Sequence, residues 1–198
     1  MLMMALNQED LYSRLVDASS NGLLGQFIAH FVIAPREGNG ALPLTLGLGE
    51  KGFDRLLEQH FRGIQSWLGC SYPVSTAIQE RSDLRDELLS LRTDEIDELI
   101  ALLDVYRQPE FDAAISRVMA VGCMGGDHLW RDLGFPDRNW LSDFIQLVYP
   151  DLKAKNDKDM KWKRFLYKQL CETGGNYVCR APSCEECAAF DDCFGSED

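Results

Sequence analysis

The 198-residue sequence predicts an all-α fold: a multi-helix, bundle-like body with an irregular, cysteine-rich metal-binding loop at its C-terminal end. Three observations carry this. Apolar residues recur at helical spacing through most of the chain, alternating strand pattern is scarce, and prolines and glycines gather between the periodic stretches. The final stretch breaks the pattern, with Cys179, Cys184, Cys187 and Cys193 close together in a segment too short to build a core. The expected organisation is a helical body over residues 1–171, with residues 172–198 packed on it.

Taken in order, Asn7 is a candidate cap for a first helix carrying Leu11 and Leu15. Leu23, Leu24, Phe27, Ile28 and Phe31 form the apolar face of a second. Residues 35–49, with Pro35, Pro43 and several glycines, read as a loop. Phe53, Leu56, Leu57, Phe61, Ile64 and Leu68 make one continuous stripe closed by Gly69. Ser82 and Thr93 are expected to cap two further helices, the second with Asp94 and Glu95 at its positive end and Ile96, Leu99, Ile100 and Leu103 inward. Pro109 suits a first helical position ahead of Ile115, Val118 and Met119. Residues 136–148 and 159–171 complete the set.

Length and an apolar content of 45% are ordinary for one globular domain with a substantial core. The start of the sequence lacks a basic, cleavable signal pattern. The apolar run from Gly22 to Ala34 contains Gln26 and His30 and is too short to span a bilayer. Seven cysteines without a secretion signal favour a reducing compartment, so a cytoplasmic protein is expected, with no membrane partner. The net charge of −12 argues against nucleic acid as a partner. That charge is uneven: residues 151–180 hold an excess of Lys and Arg, whereas residues 181–198 hold acids and no base. No G-x-S-x-G, P-loop or H-E-x-x-H motif is present, and a carrier is expected in place of an enzyme.

The four tail cysteines are spaced C-x4-C-x2-C-x5-C. Thiolates converging on one metal centre would fix such a segment, because metal binding supplies about 10–16 kcal/mol of folding free energy in small zinc peptides. Structural zinc usually takes two short-bite pairs, and this tail has one. The first three cysteines share their local spacing with plant-type [2Fe–2S] proteins, and a compact four-cysteine loop also suits a cubane. Spacing alone leaves iron–sulfur, zinc and disulfides open.

Two stretches then carry a resemblance. Cys179-Arg-Ala-Pro-Ser-Cys184-Glu-Glu-Cys187, followed by Cys193-Phe-Gly, resembles the C-terminal signature of the NifQ family. Upstream, Cys123-Met-Gly-Gly-Asp-His128-Leu-Trp-Arg-Asp-Leu-Gly134 matches a second motif in the right order. The likeness is most specific from about residue 115 onward. It implies a protein of nitrogen fixation that binds an iron–sulfur cluster with molybdenum and donates molybdenum for nitrogenase iron–molybdenum cofactor biosynthesis. The implied metal ligands are Cys179, Cys184, Cys187 and Cys193. The implied partners are the cofactor assembly proteins (scaffold and iron protein) and a molybdenum source, with the chain itself expected to be a monomer. Zinc in an interaction module, or an electron-transfer Fe–S protein, is the alternative.

Further candidates surround this set. Asp127 is expected to start, and Gly134 to stop, a short helix packed through Leu129, Trp130 and Leu133. A lone histidine is usually structural. Molybdenum in such a cluster, however, wants donors beyond the thiolates, which makes His128 and Asp127 candidate ligands or supporting groups, with Cys123 nearby in sequence. His30 and His60 read as structural, and Cys70 as a small buried hydrophobe. On the last long helix, Trp162, Phe165, Leu166 and Leu170 share one arc and Lys161, Arg164 and Lys168 the opposite one, with Cys171 beside the basic stripe. That stripe is either a solvated face or one that attracts an anionic cluster, molybdate or an acidic partner.

Overall fold

The computed structural model describes residues 8–172 and 190–194, and its regular elements are helices. They run α1 (Gln8–Ala18), α2 (Gly22–Arg36), α3 (Gly49–His60), α4 (Ile64–Ser71), α5 (Thr76–Ser90) and α6 (Thr93–Tyr106). The second half holds α7 (Ala113–Cys123), α8 (Leu129–Asp132), α9 (Arg138–Val148), α10 (Pro150–Lys155), α11 (Trp162–Glu172) and α12 (Phe190–Phe194). An antiparallel bridge, Ser19 with Phe61, ties the α1–α2 corner to the α3–α4 corner. No helix among the described residues is long and apolar enough to cross a membrane.

The core follows the apolar stripes. Leu11 and Leu15 of α1 are fully buried against α2, which also meets α9. Between α2 and α9 sits an aromatic cluster: Phe27 meets Phe144 edge-on at 5.5 Å, and Phe31 meets Phe135 at 5.2 Å. Such contacts add about 0.5–1.5 kcal/mol per pair beyond area burial. Helix α6 lies along α7, and α11 packs on α6 through a face of buried Trp162, Phe165, Leu166 and Leu170. His30 belongs to the aromatic layer, 4.7 Å from Trp140 and 4.9 Å from Tyr12, and burial lowers its pKa to about 4. His60 is buried, bonded through Nδ1 to the Asn21 amide at 2.7 Å, and its pKa is also lowered by burial.

Several local expectations are corrected. The stripe from Phe53 to Leu68 is buried at all six positions but belongs to two helices, because the chain turns at Arg62-Gly63. Pro35 lies in the last turn of α2 and not in the loop, at a helix end where its missing N–H costs one bond at most. Ser75, not Ser82, caps α5, accepting from Ile78 N at 3.3 Å; Ser82 is buried mid-helix and accepts from Leu44 N at 2.8 Å. Thr93 is the first helical residue of α6, and its hydroxyl donates to Ser90 O in place of capping. Asp112, not Pro109, begins α7, its carboxylate accepting from Ala114 N at 2.6 Å. Cys70 is exposed near the end of α4, on the face turned away from Ile64 and Leu68. Asn7 lies outside the described residues.

Candidate metal and oxyanion site

The motif turn is built from the end of α7. After Cys123 the chain runs through Gly125 and Gly126 to Asp127, and His128 occupies the N-cap position of α8. Leu129 and Leu133 are buried and Trp130 is half-buried, so the short helix is held by its apolar side, and it ends ahead of Gly134 (φ +83°). The expected helix is therefore present, one step shorter at its start than expected.

The Asp132 carboxylate, only 5% exposed, folds back beneath this turn. It accepts from Asp127 N at 3.0 Å and pairs with Lys163 Nζ, which also donates to Gly125 O at 2.8 Å. Gly125 is required by the close approach: a Cβ there would lie 2.3 Å from the Asp132 carboxyl carbon. Asp127 itself faces outward. Its Oδ1 accepts from His128 N at 2.7 Å and pairs with Arg131 at 3.5 Å. The His128 N–H, followed by Arg131, lowers the Asp127 pKa and keeps the carboxylate ionised.

The second wall is the start of α11. A cavity of about 280 Å³ lies between the Gly126–Leu129 turn and Lys161, Lys163 and Arg164. Lys161 also anchors α12, its backbone N donating to Cys193 O at 2.7 Å and its Nζ to Asp191 O at 3.1 Å. Cys193 is half-buried and packs with Phe194 against the core. The residue that carries one of the four tail thiols is thus bonded to a residue lining the His128 cavity. A brace behind the site joins three segments: Arg92 forks onto Glu95 at 2.8 and 2.9 Å, reaches Met124 O at 3.1 Å, and Tyr167 donates to Glu95. Burial and Glu95 together raise the Tyr167 pKa, so the phenol stays protonated.

Asp127, His128, Lys161 and Arg164 are brought together, and Cys193 joins them through Lys161. Lys168 stands apart from this cavity and reaches Glu172 at 3.9 Å; Cys171 is half-buried near the end of α11. Cys123 is fully packed at the end of α7, where burial pushes its thiol pKa up to about 12 against the opposing pull of Lys163. Cys179, Cys184 and Cys187 lie outside the described residues. Among the described residues, no three His, Cys, Asp or Glu side chains converge to hold a metal ion. Sequence reasoning missed Lys163, Asp132 and Gly125 as the frame of the turn. Asp132 and Lys163 are 31 positions apart, and only the arithmetic of helix packing joins them.

Comparison with known proteins agrees with the motifs. Residues 27–195 match the model of the NifQ family, which extends the likeness well into the N-terminal half. Protein NifQ of Azotobacter vinelandii is 42% identical over 174 residues, spanning 86% of this chain and 88% of that protein. Protein NifQ of Klebsiella pneumoniae is 30% identical over 158 residues, 79% of this chain and 90% of its own. Protein NifQ of Rhodobacter capsulatus is 39% identical over 83 residues, 42% of this chain and 46% of that protein. No solved structure matches the chain. The chain belongs to the NifQ family, a family of nitrogen-fixation proteins.

Proposed function

We propose that this protein carries an iron–sulfur cluster containing molybdenum as cargo and donates the molybdenum to the proteins that assemble the nitrogenase cofactor. The observation that carries the reading is the bond between Lys161 and Cys193, which sets a tail thiol residue against the cavity of Asp127, His128, Lys161, Lys163 and Arg164. The donor chemistry fits. Thiolates at Cys179, Cys184, Cys187 and Cys193 suit iron, and an imidazole with an ionised carboxylate supplies the harder donors molybdenum takes. Lys161 and Arg164 offset the negative charge of a thiolate-ligated centre or of an arriving oxyanion, while Lys163, paired with Asp132, holds the turn. The chain's own tasks are to bind, to orient and to release. None of them needs a catalytic residue, and a monomeric cytoplasmic carrier satisfies them.

Anaerobic purification followed by iron, molybdenum, zinc and acid-labile sulfide analysis tests this directly. Iron, sulfide and molybdenum together support the carrier. Zinc without sulfide makes the protein a zinc-stabilised interaction module, and iron and sulfide that never take up molybdenum make it an electron-transfer protein. His128→Ala sharpens the test: iron should stay near wild type while the molybdenum-to-iron ratio and molybdenum donation fall. Unchanged molybdenum content and donation would remove His128 from the site.

A further inference from the structure

A second cavity, of about 310 Å³, opens where the C-terminal end of α2 faces α3 and α4. Its floor is apolar, made by buried Leu44, Phe53, Leu57 and Leu68. Arg36, the last residue of α2, supplies the cation. Its guanidinium lies 5.1 Å over the Phe53 ring and spends one N–H on Val32 O at 2.8 Å. A guanidinium has five N–H donors. Among the described residues the others meet no acceptor, and Arg36 closes no ion pair. Arg36 is half-buried, and burial pulls its pKa from 12.5 down to about 10.

The opposite charge is present but does not touch it. Glu50 and Asp54 line the same cavity from the exposed side of α3, and neither carboxylate closes an ion pair among the described residues. Glu50 is near enough to pull the Arg36 pKa upward, as is the Tyr72 hydroxyl. Inner cation, outer carboxylates and apolar floor therefore share one opening of a size at the low end for small-molecule sites, roughly 300–1,000 Å³. A phosphate ester would bring about two negative charges to one cation and two carboxylates, and a simple cation would meet Arg36. A molecule carrying both signs on neighbouring atoms suits both ends.

We propose that this cavity binds a free α-amino acid with an apolar side chain of about leucine size, its carboxylate on Arg36, its ammonium toward Glu50 and Asp54, and its side chain on the Phe53–Leu57–Leu68 floor. Arg36 receives the carboxylate through the planar fork that lysine lacks. The site uses none of the residues assigned to the metal, so its test is independent of metal content.

Full-length protein titrated calorimetrically with L-leucine and L-phenylalanine, beside 4-methylpentanoate and isopentylamine, decides the matter. At least one of the two amino acids should bind with a Kd below about 1 mM. Each one-charge analogue should bind ten-fold or more weakly, since it leaves one end of the site unmatched, a difference of about 1.4 kcal/mol or more. Arg36→Lys and Glu50→Gln should each weaken binding by a similar factor. Glu50 is exposed, so its variant keeps the fold, and a thermal melt of both variants checks this. No binding by either amino acid, or an analogue that binds as tightly as the amino acid, overturns the proposal. Unchanged affinity in a folded Glu50→Gln protein overturns it equally.

Discussion

Lys163→Met tests the frame beneath the motif turn. The pair it removes is nearly dry: the side chains of Lys163 and Asp132 are 17% and 7% exposed. Breaking a buried ion pair by deleting one partner costs about 3–5 kcal/mol, chiefly because the other charge is stranded. Asp132 keeps its bond from Asp127 N, and Lys163 is partly wetted, so the low end applies, about 3 kcal/mol. With an unfolding entropy of about 2.1 cal/mol/K per residue, that lowers Tm by roughly 7 °C for a chain of this size. Differential scanning calorimetry measures it. Asp132→Asn should cost less, since the amide oxygen still accepts from Asp127 N. The double variant should recover part of the loss, with a coupling of about 1–3 kcal/mol. A Tm change below about 2 °C for Lys163→Met, or strict additivity in the cycle, would refute the reasoning, because the turn would then be held by its apolar contacts alone.

Two other outcomes are expected, the first from the proposed function and the second from the structure. Replacing any one of Cys179, Cys184, Cys187 or Cys193 by Ala should strip most bound iron with little change in helical circular dichroism, whereas exposed Cys70→Ala should retain it; two tail variants at full metal occupancy would end the shared-site reading. The second concerns pH. His30 has a folded pKa of about 4, below its ordinary 6.5, so its neutral form contributes stability above pH 6.5 that is lost as pH falls from 6.5 toward 4. His60 shifts in the same direction. Melts across this range should show the loss, and His30→Phe should flatten it; an equal slope in the variant would place the titration elsewhere.

Most of the body was legible because it depends on periodicity. Burial of Trp162, Phe165, Leu166 and Leu170 needs only the 100° step of a helix, and the Leu11–Leu15 and Phe27–Phe31 faces likewise. Misreadings cluster at helix ends, where several residues can serve. Ser82 and Thr93 have cap chemistry, yet Ser75 took one helix start and Ser82 was spent on the buried Leu44 N–H. The tail spacing finds no answer in the described residues, which hold only Cys193 of the four, whereas Lys161 and Arg164 of the basic stripe do line one cavity with His128. Lys163 falls between the two arcs and looks like one more exposed lysine. Its role comes from Asp132, a charge placed beneath the turn by the way α8 and α11 pack, and no local pattern encodes that pairing.

The basic opening also resolves how a strongly acidic protein would attract an anion. Treated as a point, the net charge of −12, with Lys161 and Arg164 set aside to be counted separately, repels a dianion at a surface about 20 Å from the centre by roughly 6 kcal/mol in unscreened water. With a Debye length of about 8 Å at 0.15 M salt this falls to roughly 0.5 kcal/mol. Lys161 and Arg164, taken at about 5 Å, attract the same dianion by roughly 0.9 kcal/mol each after screening. At 0.01 M salt, where the Debye length is about 30 Å, the repulsion recovers to roughly 3 kcal/mol and cancels a local attraction that has grown to about the same size. Molybdate uptake by wild-type protein should therefore speed up, not slow, as salt rises from 0.01 to 0.15 M. Reversing Lys161, Arg164 and Lys168 to Glu should slow uptake at every salt, most strongly at the low end, with a modest loss of stability, since such charges matter by less than about 1 kcal/mol each and Lys161, bonded to Asp191 O, also ties down another segment. Stopped-flow loading across a salt series reads both effects. A wild-type rate that falls monotonically from 0.01 M upward would mean that the oxyanion feels the local cations alone. A reversed stripe that loads at the wild-type rate would return α11 to an ordinary solvated face.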